Sequence, residues 1–299
     1  MQVLAMMQVD AFTRRPYGGN PCAVVFDADD LSRGTMQTIA REMNLSETAF
    51  LMRSSRADFR ARYFTPGEEI PLAGHPTIAA IYGLLSSGRL HREGACQVKL
   101  ELQVGVIDID ITGAPGDPPL ITMTQPRPEF LRVYEPQEVC PAFGLTPDDL
   151  LPDVPVQTVS TGTPQLMIPV RSLHSLRRVH LDHVLYAQLR EFGDFFSAHL
   201  FTPEGVEHGD TFARHFGVPP EMTEDPFTGS ATGGMAAYLW HHQLIRHPHF
   251  TAEQGHWMGR PGEALVEVIG QPEYVQAVRV GGHATEILEG SLLVPDETP

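Results

Sequence analysis

The sequence predicts an α+β protein built of two similar halves, each holding several strands and one buried helix. Three observations predict it. "EIPLAGHPT" at 69–77 and "EDPFTGSAT" at 224–232 share Glu, Pro, Gly and Thr at the same four places. Each nonapeptide leads into a helical stretch that is small or apolar nearly all round, "TIAAIYGLLSSG" and "GSATGGMAAYLWHHQLI", as a buried helix should be. Strand-like runs flank both. An "FTP" precedes each copy, at 64–66 and 201–203, with an insertion after the second, and it anchors the reading of an internal duplication.

The elements follow in order. "VLAMMQVDAF" and "CAVVFD" read as strands. "DLSRGTMQTIAREMN" reads as a helix, with Leu31, Thr35, Ile39 and Met43 at four-residue spacing and Asn44 as its C-terminal cap. "TAFLMR" and "DFRARYF" form a hairpin across "SSRA", and "CQVKLELQV" and "VIDIDIT" follow the first buried helix. "GAPGDPP" breaks the chain. Beyond it come "ITMTQP", "VQTVSTG", "QLMIPV", a polar helix near 180–193 and "FFSAHLFTP". "EALVEVIG", "YVQAVRVGG" and "HATEILEGSLLV" close the chain as strands. The halves are expected at 1–115 and 120–282, and the strand near 283–295 is a candidate to return to the first half.

Composition prunes the functions. The chain has 299 residues and a net charge of −16, from 21 Lys+Arg against 37 Asp+Glu. Such a chain repels phosphate backbones, and without a basic arm nucleic acid is not an expected partner. The opening "MQVLAMMQVDAF" is too short and mixed for a signal peptide or a membrane span. Cys22, Cys96 and Cys140 are widely spaced with no CxxC, so a reduced, cytoplasmic protein without a disulfide framework is expected. The single lysine, Lys99, falls on the polar face of an alternating strand, which argues against a Schiff-base lysine and pyridoxal phosphate. The histidines of "HHQLIRHPHF" lack ligand spacing and "TGSATGG" lacks a phosphate-loop lysine, so neither metal nor nucleotide is expected. Arg260 in "MGRPG" sits on a turn, with a structural or interface role ahead of anion contact.

The repeat itself suggests a site. Gly74 and Gly229 each open a helix, and a helix N-terminus offers free N–H groups and partial positive charge to an anion. A pair of such ends aimed at one cleft would stabilise a small carboxylate and an enolate forming beside it. Taken singly, each glycine is as well explained by a tight turn. The copies differ where chemistry would lie: His75 matches Ser230, and Ile70 matches Asp225. Glu47, between a helix end and an apolar strand, risks desolvation that would suit it to acid–base work; an ordinary turn glutamate beside Ser46 and Thr48 is the alternative.

Together "GNPCAVV", "NLSETAF", "YFTPGEEIPLAGHPT", "EDPFTGSAT" and "QGHWMGRPG", spread from residue 19 to residue 262, resemble the PhzF-like family, named for an isomerase of phenazine biosynthesis. The resemblance implies the diaminopimelate-epimerase-like fold, with each half a β-barrel wrapped around a central helix and the active site between halves. It implies Glu47 as the general acid/base, with His75 and Asp225 holding substrate and placing protons. It implies Ser230 and the backbone N–H groups at Gly74 and Gly229 as the carboxylate site, with Asn20 and Ser46 as pocket neighbours. It also implies a homodimer acting on a small carboxylate, and the namesake isomerises trans-2,3-dihydro-3-hydroxyanthranilate without a cofactor or metal. No cysteine lies in either nonapeptide, so a two-cysteine racemase is not expected. An epimerase or dehydratase on another small α-acidic acid, and a non-catalytic small-acid binder, are the alternatives.

Overall fold

The computed structural model describes residues 1–114, 116–217 and 224–295. Residue 115 of the Gly-Pro breaker and residues 218–223 ahead of the second nonapeptide lie outside these. The chain divides into two compact units, Met1–Met123 with Gly281–Pro299, and Thr124–Val280.

The first unit is a mixed sheet with a helix on each side. Strand β1 (Gln2–Ala11) lies between β2 (Asn20–Val25) and the distant β17 (Ala284–Val294), antiparallel to both. Beyond β2 come β3 (Glu47–Met52), parallel to it, and β4 (Phe59–Phe64), antiparallel to β3. Next to β4 lie the two-residue β5 (Glu69–Ile70) and β6 (Cys96–Leu102), and β6 pairs with β7 (Gly105–Thr112), which pairs in turn with β8 (Leu120–Gln125). Helix α1 (Arg33–Met43) is capped at both ends, by the Ser32 hydroxyl accepting from Thr35 N–H and by Asn44 in the left-handed region. Its apolar face meets Phe50, Phe64, Val25 and Leu4 on one side of the sheet. Helix α2 (Gly74–Ser86) packs on β1, β2, β3 and β17, and its apolar and small residues are buried nearly all round. Lys99 is exposed on β6 and pairs with Asp108 at 2.9 Å.

The second unit repeats the pattern. Strand β9 (Glu129–Tyr134) pairs antiparallel with β10 (Val156–Ser160), as β17 does with β1. Strand β11 (Pro164–Pro169) is antiparallel to β10 and parallel to β12 (Ser197–Thr202), and β12 is antiparallel to β13 (Thr211–Phe216). Strand β14 (His249–Gln254) is parallel to β13 and antiparallel to β15 (Gly262–Gln271), and β16 (Tyr274–Gly282) follows. Thus β10 to β15 reproduce, pairing by pairing, the order of β1, β2, β3, β4, β6 and β7. Helix α6 (Gly229–His241) packs on β10, β11, β12 and β15 and is the counterpart of α2, each being 13 residues long. Its glycines are there for close approach: a Cβ on Gly233 would lie 1.8 Å from Gln125 Oε1. The other face of this sheet carries α3 (Pro136–Val139), α4 (Leu173–Arg178) and α5 (His183–Phe192) over a core of Phe143, Tyr186, Phe195 and Phe216. Leu176 of α4 is fully buried in this core.

The register corrects the sequence alignment of the copies. "FTP" at 64–66 begins on the last residue of β4, but "FTP" at 201–203 lies at the end of β12, the counterpart of β3. The true equivalents are "RYF" at 62–64 and "RHF" at 214–216. Tyr63 pairs with Ile70, and His215 bridges Asp225 in the same sense. The matching of Ile70 with Asp225 stands on this register, and the apparent insertion after the second "FTP" contains strand β13.

The same shift exposes a repeated ion pair. Arg62 forks onto Glu69, Nε to Oε1 at 2.7 Å and Nη2 to Oε2 at 2.8 Å. Arg214 forks onto Glu224 at 2.8 and 2.7 Å. Each guanidinium also lies over a phenylalanine two residues on, Phe64 at 5.2 Å and Phe216 at 5.0 Å. Both partners of the second pair are largely shielded, with side chains 14% and 19% exposed. Arg214→Met should therefore destabilise the protein by about 2–4 kcal/mol in urea unfolding, because it strands a shielded carboxylate. The exposed pair Arg53–Asp29, broken by Arg53→Met, should change stability by only about 0–1 kcal/mol. Equal effects of the two substitutions would refute the clamp.

Candidate functional site

In the first unit the chain gathers Asn20, Ser46, Glu47 and His75 around the start of α2. Asn20 opens β2 behind Gly19, whose φ of +52° and close approach to the Ala11 carbonyl admit no side chain; a Cβ there would lie 2.0 Å from that oxygen. Glu47 opens β3, in register with Cys22. His75 is the second residue of α2. The Ser46 hydroxyl donates to Asn20 Oδ1 at 3.4 Å, which turns the amide nitrogen of Asn20 toward His75 Nδ1 at 3.1 Å. Donation from Asn20 leaves the proton of a neutral imidazole on Nε2. That nitrogen faces Glu47 Oε2 at 3.1 Å.

The surroundings keep the ring uncharged. His75 is 4% exposed, and burial pushes its pKa down to about 3. Its place in the first turn of a helix acts in the same direction. Cys22 beside Glu47 is driven well above the ordinary thiol value, first by burial and then by the Glu47 charge, so it stays a thiol. Burial likewise raises Tyr63, whose hydroxyl bonds Thr77 at 2.7 Å. The N-cap position of α2 is Ala73, which has no side chain to cap the helix. A carboxylate, a neutral histidine and an uncapped helix start are thus within one small volume: a base, a donor and an anion-stabilising dipole.

In the second unit Asp225, Gly229 and Ser230 lie at the start of α6. Asp225 is 4% exposed and accepts from the Thr228 hydroxyl. Ser230 Oγ accepts from Gln165 Nε2 at 3.2 Å. Gln125 donates to the Gly229 carbonyl at 2.8 Å and accepts from Thr161 at 2.5 Å. Arg260 closes a turn by donating its N–H to Gly255 at 3.1 Å. His215, which bridges Asp225, faces His199 across 3.3 Å; burial holds both rings neutral, His215 down to about 3. Sequence reading missed Cys22, Thr228, Gln165 and Gln254 as neighbours. One usable signal was "GTP" at 162–164, the counterpart of "GNP" at 19–21, which puts Gln165 where Cys22 stands. Among the described residues no group of three or more His, Cys, Asp and Glu could hold a metal ion. Nor is any described helix long and apolar enough to cross a membrane.

A profile described as phenazine biosynthesis-like protein, PhzC-PhzF, matches residues 9–290. The chain belongs to the PhzF family. A Bacillus subtilis relative named uncharacterized isomerase YfhB is 34% identical, over 90% of this chain and 92% of its own. The trans-2,3-dihydro-3-hydroxyanthranilate isomerase of Pseudomonas aeruginosa is 33% identical, over 94% and 96%. A Bacillus anthracis PhzF-family phenazine biosynthesis protein has a solved structure that matches with a TM-score of 0.88 at 31% identity, covering 98% of this chain and all of that one. This PhzF-family chain is an isomerase by class.

The buried histidines set the acid limit of the fold. Their folded pKa values lie below the ordinary 6.5, near 3 for His75 and His215. Between those values the unfolded chain takes up protons that the folded chain refuses, so stability should fall as pH drops from 6.5 toward 3. Urea midpoints for wild type should decline over that window, and His215→Phe should decline less. Parallel curves would refute the assignment.

Proposed function

We propose that the chain is a cofactor-independent isomerase that moves a proton within a small cyclic amino-carboxylate. Glu47 is the general acid/base in this reading: its carboxylate takes the proton from one carbon and, once protonated, returns it to another. The negative charge that builds up on the substrate between the two transfers is stabilised by the N–H groups at the start of α2 and by His75 Nε2–H. The observation that carries the reading is the 3.1 Å approach of Glu47 to a buried, neutral His75 at an uncapped helix start. Neutrality matters, because an imidazolium would draw the proton equilibrium of Glu47 to itself.

Asn20 and Ser46 hold the ring of His75 in this reading, and Gly74 lends its backbone N–H. Asp225, Ser230 and Gly229 are assigned to the same reaction as substrate-holding groups. Each sheet is read as a barrel wrapped around its long helix, supported by the contacts of α2 and α6 with four strands each. The name of the Pseudomonas aeruginosa relative supports trans-2,3-dihydro-3-hydroxyanthranilate as the first substrate to try.

Proton NMR in D₂O with that compound tests the proposal. Wild type should convert it, and Glu47→Gln should lose about 10²–10⁴-fold in kcat while keeping its fold. Wild-type turnover by Glu47→Gln would end the role of Glu47. Without conversion, a screen of small cyclic and α-amino acids for carbon-bound deuterium would follow. Binding without exchange throughout would replace the isomerase by a small-acid binder.

A further inference from the structure

Thr228 occupies the N-cap position of α6, where a threonine hydroxyl ordinarily accepts from an N–H of the first turn. It makes no such bond. Its Oγ1–H donates to Asp225 Oδ2 instead. Gln254 holds Thr228 in that posture. Its Oε1 accepts from the Thr228 N–H at 3.2 Å, and its Nε2 donates to the Asp225 carbonyl at 2.7 Å and reaches Thr228 Oγ1 at 3.4 Å. Gln254 is 1% exposed, so water does not compete for these bonds. A hydroxyl has one proton; with Gln254 donating toward its oxygen, that proton is directed to Asp225.

The internal repeat supplies a control. Asp225 matches Ile70 through the bridges to His215 and Tyr63, and Thr228 matches Ala73 as the N-cap residue. Gln254 matches Leu102: β14 lies beside β13 as β6 lies beside β4, in the same register. All three positions are polar in the second copy and apolar in the first. The hydroxyl and the amide thus accompany the carboxylate, and helix α2 forms without them. Helix building alone does not call for the trio.

We propose that Thr228, held by Gln254, is a positioning residue that fixes the side-chain rotamer of Asp225 for the proton shift. The inference rests on the proposed isomerase reading, in which Asp225 holds substrate. Thr228→Val keeps the shape and removes the donor, and Thr228→Ser restores it. Three-bond N–Cγ and C′–Cγ couplings of Asp225 report its χ1 without any substrate. Wild type and Thr228→Ser should show one rotamer, and Thr228→Val averaged couplings. With trans-2,3-dihydro-3-hydroxyanthranilate, Thr228→Val should lower kcat about 10- to 100-fold with little change in KM, and Thr228→Ser should recover it. A single Asp225 rotamer in Thr228→Val, or wild-type kcat, overturns the proposal; so does a lowered melting temperature as its only effect. Asp225→Asn separates the two ideas. Full activity of Asp225→Asn defeats the functional reading, whereas an inactive Asp225→Asn beside a fully active Thr228→Val defeats only the positioning role.

Discussion

The fork between an arginine and a glutamate is the interaction on which each unit's site depends. Arg62 on β4 and Arg214 on β13 hold Glu69 and Glu224, the residues that open the two nonapeptides. Planar pairing through two parallel bonds fixes direction as well as distance. The chain leaving each fork must pass close to its strand before turning into the buried helix. That passage sets where residues 70 and 225 point and where α2 and α6 begin. Helices made of glycine, alanine and small apolar residues can then slide in against the strands, which bulkier residues would prevent.

The architecture was legible in the sequence because buried helices carry a distinctive composition. A stretch such as "GSATGGMAAYLW" is hard to place anywhere but inside. Strand alternation was equally plain in β6 and β7. The second half was harder. Strands β13 and β14 mix arginine, histidine and threonine into runs buried almost throughout, and β9 is exposed or half-buried over most of its length, so neither kind shows a clean period of two. The repeated "FTP" misled for a related reason. Identity of three residues outweighed the shared arginine and phenylalanine two apart, whose glutamate follows at seven residues in one copy and ten in the other, so the ion pair shows only in space.

The site was legible in part. Glu47, His75 and Asp225 stand out because each breaks an apolar or helical context. Their helpers do not: Gln254 lies at the end of an unremarkable strand, and Cys22 reads as one more core residue. What sets them apart is the partner across the sheet, and sequence order hides that partner. The two copies also show how a duplicated scaffold divides its labour. The first places a carboxylate at the start of β3, where the second has Ser197; the second places one ahead of α6, where the first has Ile70. Neither copy holds both acids, so neither places two like charges beside one helix start.

One strand pairing governs how the chain is made. Gln2 lies opposite Val294, so β1 gains its second neighbour only when β17 has left the ribosome. At about 5–20 residues per second, that is a wait of roughly 15–60 s. The second unit, a continuous stretch from Thr124 to Val280, has no such wait. The nascent chain therefore spends most of its synthesis with one edge of β1 open to any strand that comes near. The half-buried Glu286 and the exposed Glu289 on β17 lie across from Val9 and Met7, so the closing strand arrives carrying charge that discourages pairing with a second chain.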